Sequence, residues 1–507
     1  MICKVYSADL CGVDAFKICV EADVSGGLPG FYMVGLPSSE VREAKERVER
    51  AVINSGFDFP SRKITINLSP AYLRKQGSGL DLPIALAVLA ACGSVRTDVL
   101  NNTLFVGELS LDGTVNKIRG VLPIAAFARS CGFERIVVPQ GNVIEGGAVN
   151  DIIVHGASNL KDLVGELNKN IVKDVEHLDL NLSIKKAESA CDLDYSDVVG
   201  QENAKKATLT AVSGFHNLLY IGPPGAGKSM MAQRIPSIFD HMSESECLEI
   251  SKIYSIAGLL QDDAPILTRP FRAPHQSITD TALLGGMSNP RPGEITLAHK
   301  GVLFLDELAE FKKNTIDKLR VPLEEKKIVI TRAGARAVFP CDFMLVAATN
   351  PCKCGYYPDR RYCKCNEIEV ARYLAKLKGP ILDRIDICVG IDKVDSDSLQ
   401  NTSAGMSSAQ MRQKTETARA MQRERFKDCG IFFNSQMNKK QADLFCKLKG
   451  DALEILKKAY EKYNMTARGW YKILKVSRTI ADTCGMGDIT KEHVLEAISY
   501  RNNFLNM

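Results

Sequence analysis

The architecture of this chain follows from Ile221-Gly222-Pro223-Pro224-Gly225-Ala226-Gly227-Lys228-Ser229. The apolar run Leu218-Leu219-Tyr220-Ile221 precedes it and reads as a buried strand, and a helical pattern begins at Met230. Strand, G-x-x-x-x-G-K-S loop and helix together make a phosphate-binding P-loop. The glycines let the backbone curl so that its N–H groups face phosphates, and the helix N-terminus adds positive potential. In such a loop Lys228 reaches the β- and γ-phosphates of ATP, and the Ser229 hydroxyl helps to hold Mg²⁺.

Downstream, Val302-Leu303-Phe304-Leu305 reads as a second buried strand, and it ends in the acid pair Asp306-Glu307. Ligands bind at the carboxyl edge of parallel sheets. Asp306 is therefore expected to hold Mg²⁺ through water, and Glu307 to orient the attacking water. A third apolar strand, Phe343 to Ala348, ends in Thr349-Asn350-Pro351.

The chain has 507 residues, too many for one core, and two to four domains are expected. Hydrophobic content of 45% and charged content of 25% are ordinary for a globular protein. A net charge of +5 permits a nucleic-acid partner without arguing for one. Met1 leads into Cys3-Lys4 with no signal pattern, and the longest apolar run, Leu82 to Cys92, is too short to cross a membrane. Twelve of the sixteen cysteines are scattered, many in apolar runs, as reduced core residues of a cytoplasmic protein would be. The other four, Cys352, Cys354, Cys363 and Cys365, form a paired C-x-C arrangement. Four thiolates so close suit a closed, structural Zn²⁺ site, with four free thiols as the alternative. The loop between the pairs, Gly355 to Tyr362, is basic and aromatic, a mix that also suits stacking on single-stranded bases.

Residues 1–170 read as a separate α/β domain, with strands at Phe16–Val20, Phe31–Val34, Lys63–Leu68, Thr103–Val106 and Arg135–Val138. Gly77-Ser78-Gly79-Leu80-Asp81-Leu82-Pro83-Ile84-Ala85 and Gly107-Glu108-Leu109-Ser110-Leu111-Asp112-Gly113 resemble the proteolytic domain of Lon-type proteases, a ribosomal S5 domain 2-like fold. By that resemblance Asp81 stands in place of the serine nucleophile and Leu122 in place of the lysine base, which disfavours peptidase activity. A scaffold and a nucleic-acid-contacting platform both remain open for this domain. Residues 171–192 are polar and charged and read as a linker.

The segments after the linker resemble AAA+ ATPases. Asp194 to Gln201 looks like the stretch folded over adenine, Asn350 fits the sensor-1 position, and Leu382-Asp383-Arg384-Ile385-Asp386 matches an arginine-finger motif. A turn asparagine before Pro351, and an intrasubunit ion pair for Arg384, are the plainer readings. Phe271-Arg272-Ala273-Pro274-His275-Gln276-Ser277, Pro290-Arg291-Pro292-Gly293-Glu294-Ile295 and Ala298-His299-Lys300-Gly301 are similar to the Mg-chelatase-like AAA+ family of bacteria. The resemblance covers nearly the whole chain. It implies an AAA+ core over 193–394, a helix-2 insertion from Arg269 to Lys300, and a C-terminal helical lid over 395–507. It also implies a sensor-2 arginine at Arg468 and a homo-oligomeric, hexameric ring whose Arg384 reaches the neighbouring subunit.

Glu325 to Arg332 and Arg336 to Phe339 read as a hairpin turning near Ala333-Gly334-Ala335. In ring helicases this hairpin faces the pore. Lys326, Lys327, Arg332 and Arg336 are therefore the candidates for DNA phosphate contacts. Within the family, one branch is implied to drive DNA branch migration during recombination. A chelatase-type ATPase that powers metal insertion or remodels a protein partner shares the same core motifs and is the alternative.

Overall fold

In the computed structural model, Leu218–Ile221 is a fully buried strand inside a five-stranded sheet. It lies between Met344–Thr349 and Ile387–Gly390, with Val302–Leu305 and then Phe271–Arg272 beyond Met344–Thr349, and every pair is parallel. The structure describes residues 2–171, 173–190, 192–286, 291–332, 335–376, 381–393 and 405–505, except for the side chains of 332, 335 and 502–505. The central strands are apolar throughout because helices cover both faces of a parallel sheet. The strand order reverses beside Leu218–Ile221, so the loops after this strand and after Met344–Thr349 open on one crevice.

Phe271–Arg272 pairs with Val302–Leu303, so this part of the Arg269 to Lys300 stretch belongs to the sheet. Two residues are too few for any periodicity to register. The same stretch carries helices Asp280–Leu284 and Glu294–Leu297 around a short ribbon, Gly285–Gly286 against Arg291–Pro292. The hairpin forms between Lys327–Arg332 and Ala335–Pro340, with Arg332 opposite Ala335.

The N-terminal region holds a seven-stranded mixed sheet in the order Gly30–Val34, Lys63–Ser69, Asp14–Ser25, Ile2–Cys11, Thr103–Phe105, Arg135–Pro139, Ile153–Ala157. Two of these strands escape a reading of the sequence. Ile2–Cys11 carries Lys4 and Asp9 among its apolar residues, and Ile153–Ala157 is broken by His155 and Gly156. Asp81–Ala91 is a helix buried almost along its whole length.

The stretch read as a linker contains a packed helix, Leu180–Ser189, capped by Asp179. Its Leu180 and Ile184 are buried with Met242, Cys247 and Ile250 of the following region. Only two apolar residues four apart carry this packing, a signal too sparse to separate from a polar spacer. Further on, helices Ser408–Arg425, Lys439–Phe445, Asp451–Lys462, Ala467–Thr483 and Lys491–Leu505 form a bundle. Phe215 stacks on Phe433 at 4.5 Å between ring centres, joining bundle to sheet region. The expected boundary at 394/395 falls outside the described residues.

Candidate nucleotide site and its neighbours

The Gly222–Ser229 loop leaves the sheet at the crevice. A Cβ on Gly222 would stand 2.1 Å from the Ile391 carbonyl oxygen, so no larger residue fits between these two strand ends. Gly225 and Gly227 both have positive φ, and Gly227 caps the helix Lys228–Gln233. Pro223, Pro224 and Ala226 complete the loop.

Lys228 Nζ donates to the Gly222 carbonyl at 2.8 Å, the Pro223 carbonyl at 2.9 Å and Asn350 Oδ1 at 3.0 Å. Burial pulls the Lys228 ammonium below its usual range, while Asp306 and Glu307 act the other way. Ser229 Oγ donates to Asp306 Oδ2 at 2.6 Å, and the Glu307 backbone N–H donates to Asp306 Oδ1 at 2.9 Å. Glu307 has φ of 50°, a left-handed conformation costly for a residue with a side chain. The fold therefore brings Lys228, Ser229, Asp306, Glu307 and Asn350 together from three loops. The hydroxyl and carboxylate that meet at Ser229 and Asp306 are the hard oxygen donors that Mg²⁺ takes, so the residues fit that ion.

Arg384 and Arg468 meet a different neighbourhood. Arg384 is mostly buried and pairs with Glu324. Arg468 is largely exposed, 3.8 Å from Asp383. The turn carrying Arg384 is gripped by Lys472, whose Nζ donates to the Asp383 carbonyl at 2.5 Å and the Ile385 carbonyl at 2.7 Å. Lys472 also pairs with Asp386 at 3.2 Å. Burial alone would raise the Asp386 carboxyl, but Lys472, His216 and Lys475 hold it far below the usual range. Nothing in the spacing of the sequence marks Lys472 or His216 for this role.

The four cysteines converge. Their Sγ atoms lie within 4.8 Å of one another, with pairs at 3.3, 3.6 and 3.8 Å. Four sulfurs at about 2.3 Å from a tetrahedral Zn²⁺ would stand about 3.8 Å apart, so the cluster fits that ion. Hydrogen bonding by the Tyr356 backbone N–H draws the Cys354 thiol down to about 6, towards the thiolate a metal binds. Cys352 and Cys363 are buried in the same apolar cluster as Ile221 and Leu305.

The basic hairpin residues divide. Lys326 adopts a left-handed backbone and pairs with Asp342 at 3.1 Å, at the base of the hairpin. Lys327 and Arg336 are exposed, and the side chain of Arg332 lies outside the described residues. The hairpin also rests on the N-terminal sheet, with Cys11 Sγ donating to the Arg336 carbonyl at 3.6 Å. Beside this contact is a cleft of about 830 Å³, lined from both regions by Arg74, Arg119, Arg291 and Arg336 and, among acids, by Asp9, Glu40, Glu43 and Glu108. In the N-terminal domain Asp81 is buried against Arg47 at 2.6 Å, and Leu122 is fully buried.

A P-loop on a parallel sheet, with an acid pair and a polar residue at the next two strand ends, defines an AAA+ type ATPase. The family profile described as "Magnesium chelatase, subunit ChlI" matches residues 194–399, "Subunit ChlI of Mg-chelatase" matches 20–142, and "Magnesium chelatase, subunit ChlI C-terminal" matches 405–501. The chain is 41% identical to Competence protein ComM of Haemophilus influenzae, over 98% of this chain and 97% of that one. It is 39% identical to the uncharacterized protein YifB of Escherichia coli, over 98% and 96%. A shorter likeness, 28% over 36% of this chain and 38% of the other, runs to Lon protease 2 of Bacillus subtilis. The chain belongs to the Mg-chelatase-like ComM/YifB family. Among the described residues no helix is long and apolar enough to cross a membrane.

Proposed function

We propose that this chain forms a hexameric ring that hydrolyses ATP and moves single-stranded or branched DNA, driving branch migration in recombination. The observation that carries the reading is the convergence of Lys228, Ser229, Asp306, Glu307 and Asn350 on one crevice. Lys228 and the loop N–H groups bind the phosphates, and Glu307 and Asn350 orient the attacking water. Ser229 and Asp306 would hold Mg²⁺, which neutralises phosphate charge when bound. Arg468 contacts the nucleotide from the C-terminal bundle, which serves as the lid. Arg384 leaves Glu324 on ring closure and reaches the neighbouring subunit's phosphates, where such an arginine is worth about 10³–10⁵ in rate. Zn²⁺ at the four cysteines is structural.

DNA as the substrate is supported by the near full-length likeness to a competence protein and by Lys327 and Arg336 on the exposed hairpin. The arginines of the adjoining cleft give a phosphate backbone further partners. The N-terminal region matches a profile named for a chelatase subunit, so its presence does not separate the motor from a chelatase-type ATPase. The test is the steady-state ATPase rate with and without single-stranded and four-way-junction DNA, with Lys228→Ala as the blank. Stimulation that the blank lacks is expected. A rate indifferent to every DNA form would overturn the motor reading and favour the chelatase-type alternative.

A further inference from the structure

The four-cysteine loop touches the nucleotide site. Cys352 follows Asn350 by two residues, and Asn350 is the side chain that receives Lys228. Gly355, between the two C-x-C pairs, packs on the phosphate loop itself. It has φ of 89°, and a Cβ there would lie 2.5 Å from Pro224 Cδ and 3.8 Å from Asn350 Cγ. The Gly355 N–H donates to the Cys352 carbonyl at 3.0 Å, so its position is set by the first cysteine pair. From Pro351 to Cys365 the chain makes only turns, with no helix or strand to hold it in place. Cys352 and Cys363 share a buried cluster with Ile221 and Leu305, the residues that lead into the phosphate loop and the acid pair.

A turn-only loop wedged between two catalytic segments gains its order from whatever fixes its ends. We propose that the metal-held cysteine loop is a positioning element of the ATP site. In it Gly355 braces Pro224 and the first cysteine pair sets Asn350, so that metal occupancy and nucleotide binding are thermodynamically linked. This rests on the reading of the cysteines as a Zn²⁺ site and of the Gly222–Ser229 loop as the ATP site. Linkage is reciprocal, so each ligand must tighten the other by the same factor.

The experiment uses the full-length protein. Zinc content is measured on the purified chain, and zinc release to a chromogenic chelator is followed with and without saturating ATP analogue. Fluorescent-nucleotide affinity is measured on zinc-loaded and zinc-stripped protein. The expected result is release slowed by nucleotide, with nucleotide affinity weakened at least about fivefold on stripping, within the usual range of coupling. Lys228→Ala should abolish the protection. Gly355→Ala leaves all four cysteines in place. It should retain zinc yet lose nucleotide affinity and kcat, because the added Cβ meets Pro224. Zinc release and nucleotide affinity that ignore each other, with Gly355→Ala binding nucleotide normally, would overturn the proposal. A purified protein that takes up no zinc would instead remove the metal reading beneath it, while Gly355→Ala still reports on the contact with Pro224.

Discussion

The Lys228 ammonium lies 3.0 Å from the Asn350 side-chain oxygen, across 122 residues of chain. This contact joins the phosphate loop to the end of the adjacent strand. It also fixes which atom of Asn350 faces Lys228, leaving the amide N–H groups for another acceptor. Asn350→Ala is expected to lower kcat by about 10²-fold, the cost of losing one preorganised polar group. Nucleotide affinity should change far less than in Lys228→Ala. Single-turnover hydrolysis alongside nucleotide titration separates the two; equal losses of affinity would mean that Asn350 only props the lysine.

Glu307 sits in a strained left-handed conformation beside Asp306. Its neutral isostere, Glu307→Gln, keeps the shape and removes the base. Hydrolysis should fall by about 10²–10⁴-fold while ATP stays bound. Nucleotide retained on the protein after gel filtration reads this directly. A variant that hydrolyses ATP normally would place the base elsewhere.

The core strands and the five crevice residues were legible in the sequence because short apolar runs ended in chemically distinctive residues. Phe271–Arg272 was not, since two residues carry no period. The linker helix at Leu180–Ser189 was hidden because, within the helix, Leu180 and Ile184 are the buried residues. Glu324 as the partner of Arg384, and Gly355 against Pro224, are contacts between segments far apart in the chain. Spacing within a motif reports local geometry, and it cannot say which distant loop will arrive beside it.

Ser255 Oγ donates to the buried carboxylate of Glu145, which also accepts the Leu122 backbone N–H and Asn142 Nδ2, both at 2.9 Å. Ser255 belongs to the Glu244–Ala257 helix and Glu145 to the N-terminal domain, so the bond crosses between them. Burial raises the Glu145 carboxyl, and each donor offsets that. Ser255→Ala leaves the carboxylate one donor short, at a cost of about 1–3 kcal/mol. Limited proteolysis should then release the N-terminal domain faster than in the parent chain.

Arg384 is tied to Glu324 within its own chain, whereas Lys228 belongs to the crevice of the same chain. If the arginine works in the neighbouring subunit, Lys228→Ala and Arg384→Ala damage opposite sides of one interface. Each variant alone should be nearly inactive. Mixing the two should restore part of the ATPase rate, because some interfaces then pair an intact lysine with an intact arginine. Mixtures that stay as inactive as their components would place Arg384 in a role confined to one chain.

Asp386 supplies a prediction in pH. Lys472 at 3.2 Å, with His216 and Lys475, keeps its folded-state carboxyl far below the unfolded value of about 4. A depressed acid stabilises the fold fully above the unfolded value and loses that contribution as the pH falls through it toward the folded value. Asp386→Asn strands a buried Lys472 and should cost about 3–5 kcal/mol at neutral pH. The gap between variant and parent should narrow below about pH 4, as the parent loses the contribution of its depressed carboxyl. Because Lys472 also holds the carbonyls on either side of Arg384, the same substitution should loosen the arginine's turn. Chemical denaturation across pH measures the first effect, and hydrogen exchange at residues 382–386 measures the second. A gap that widens below about pH 4 would mean that some other group carries the stabilisation.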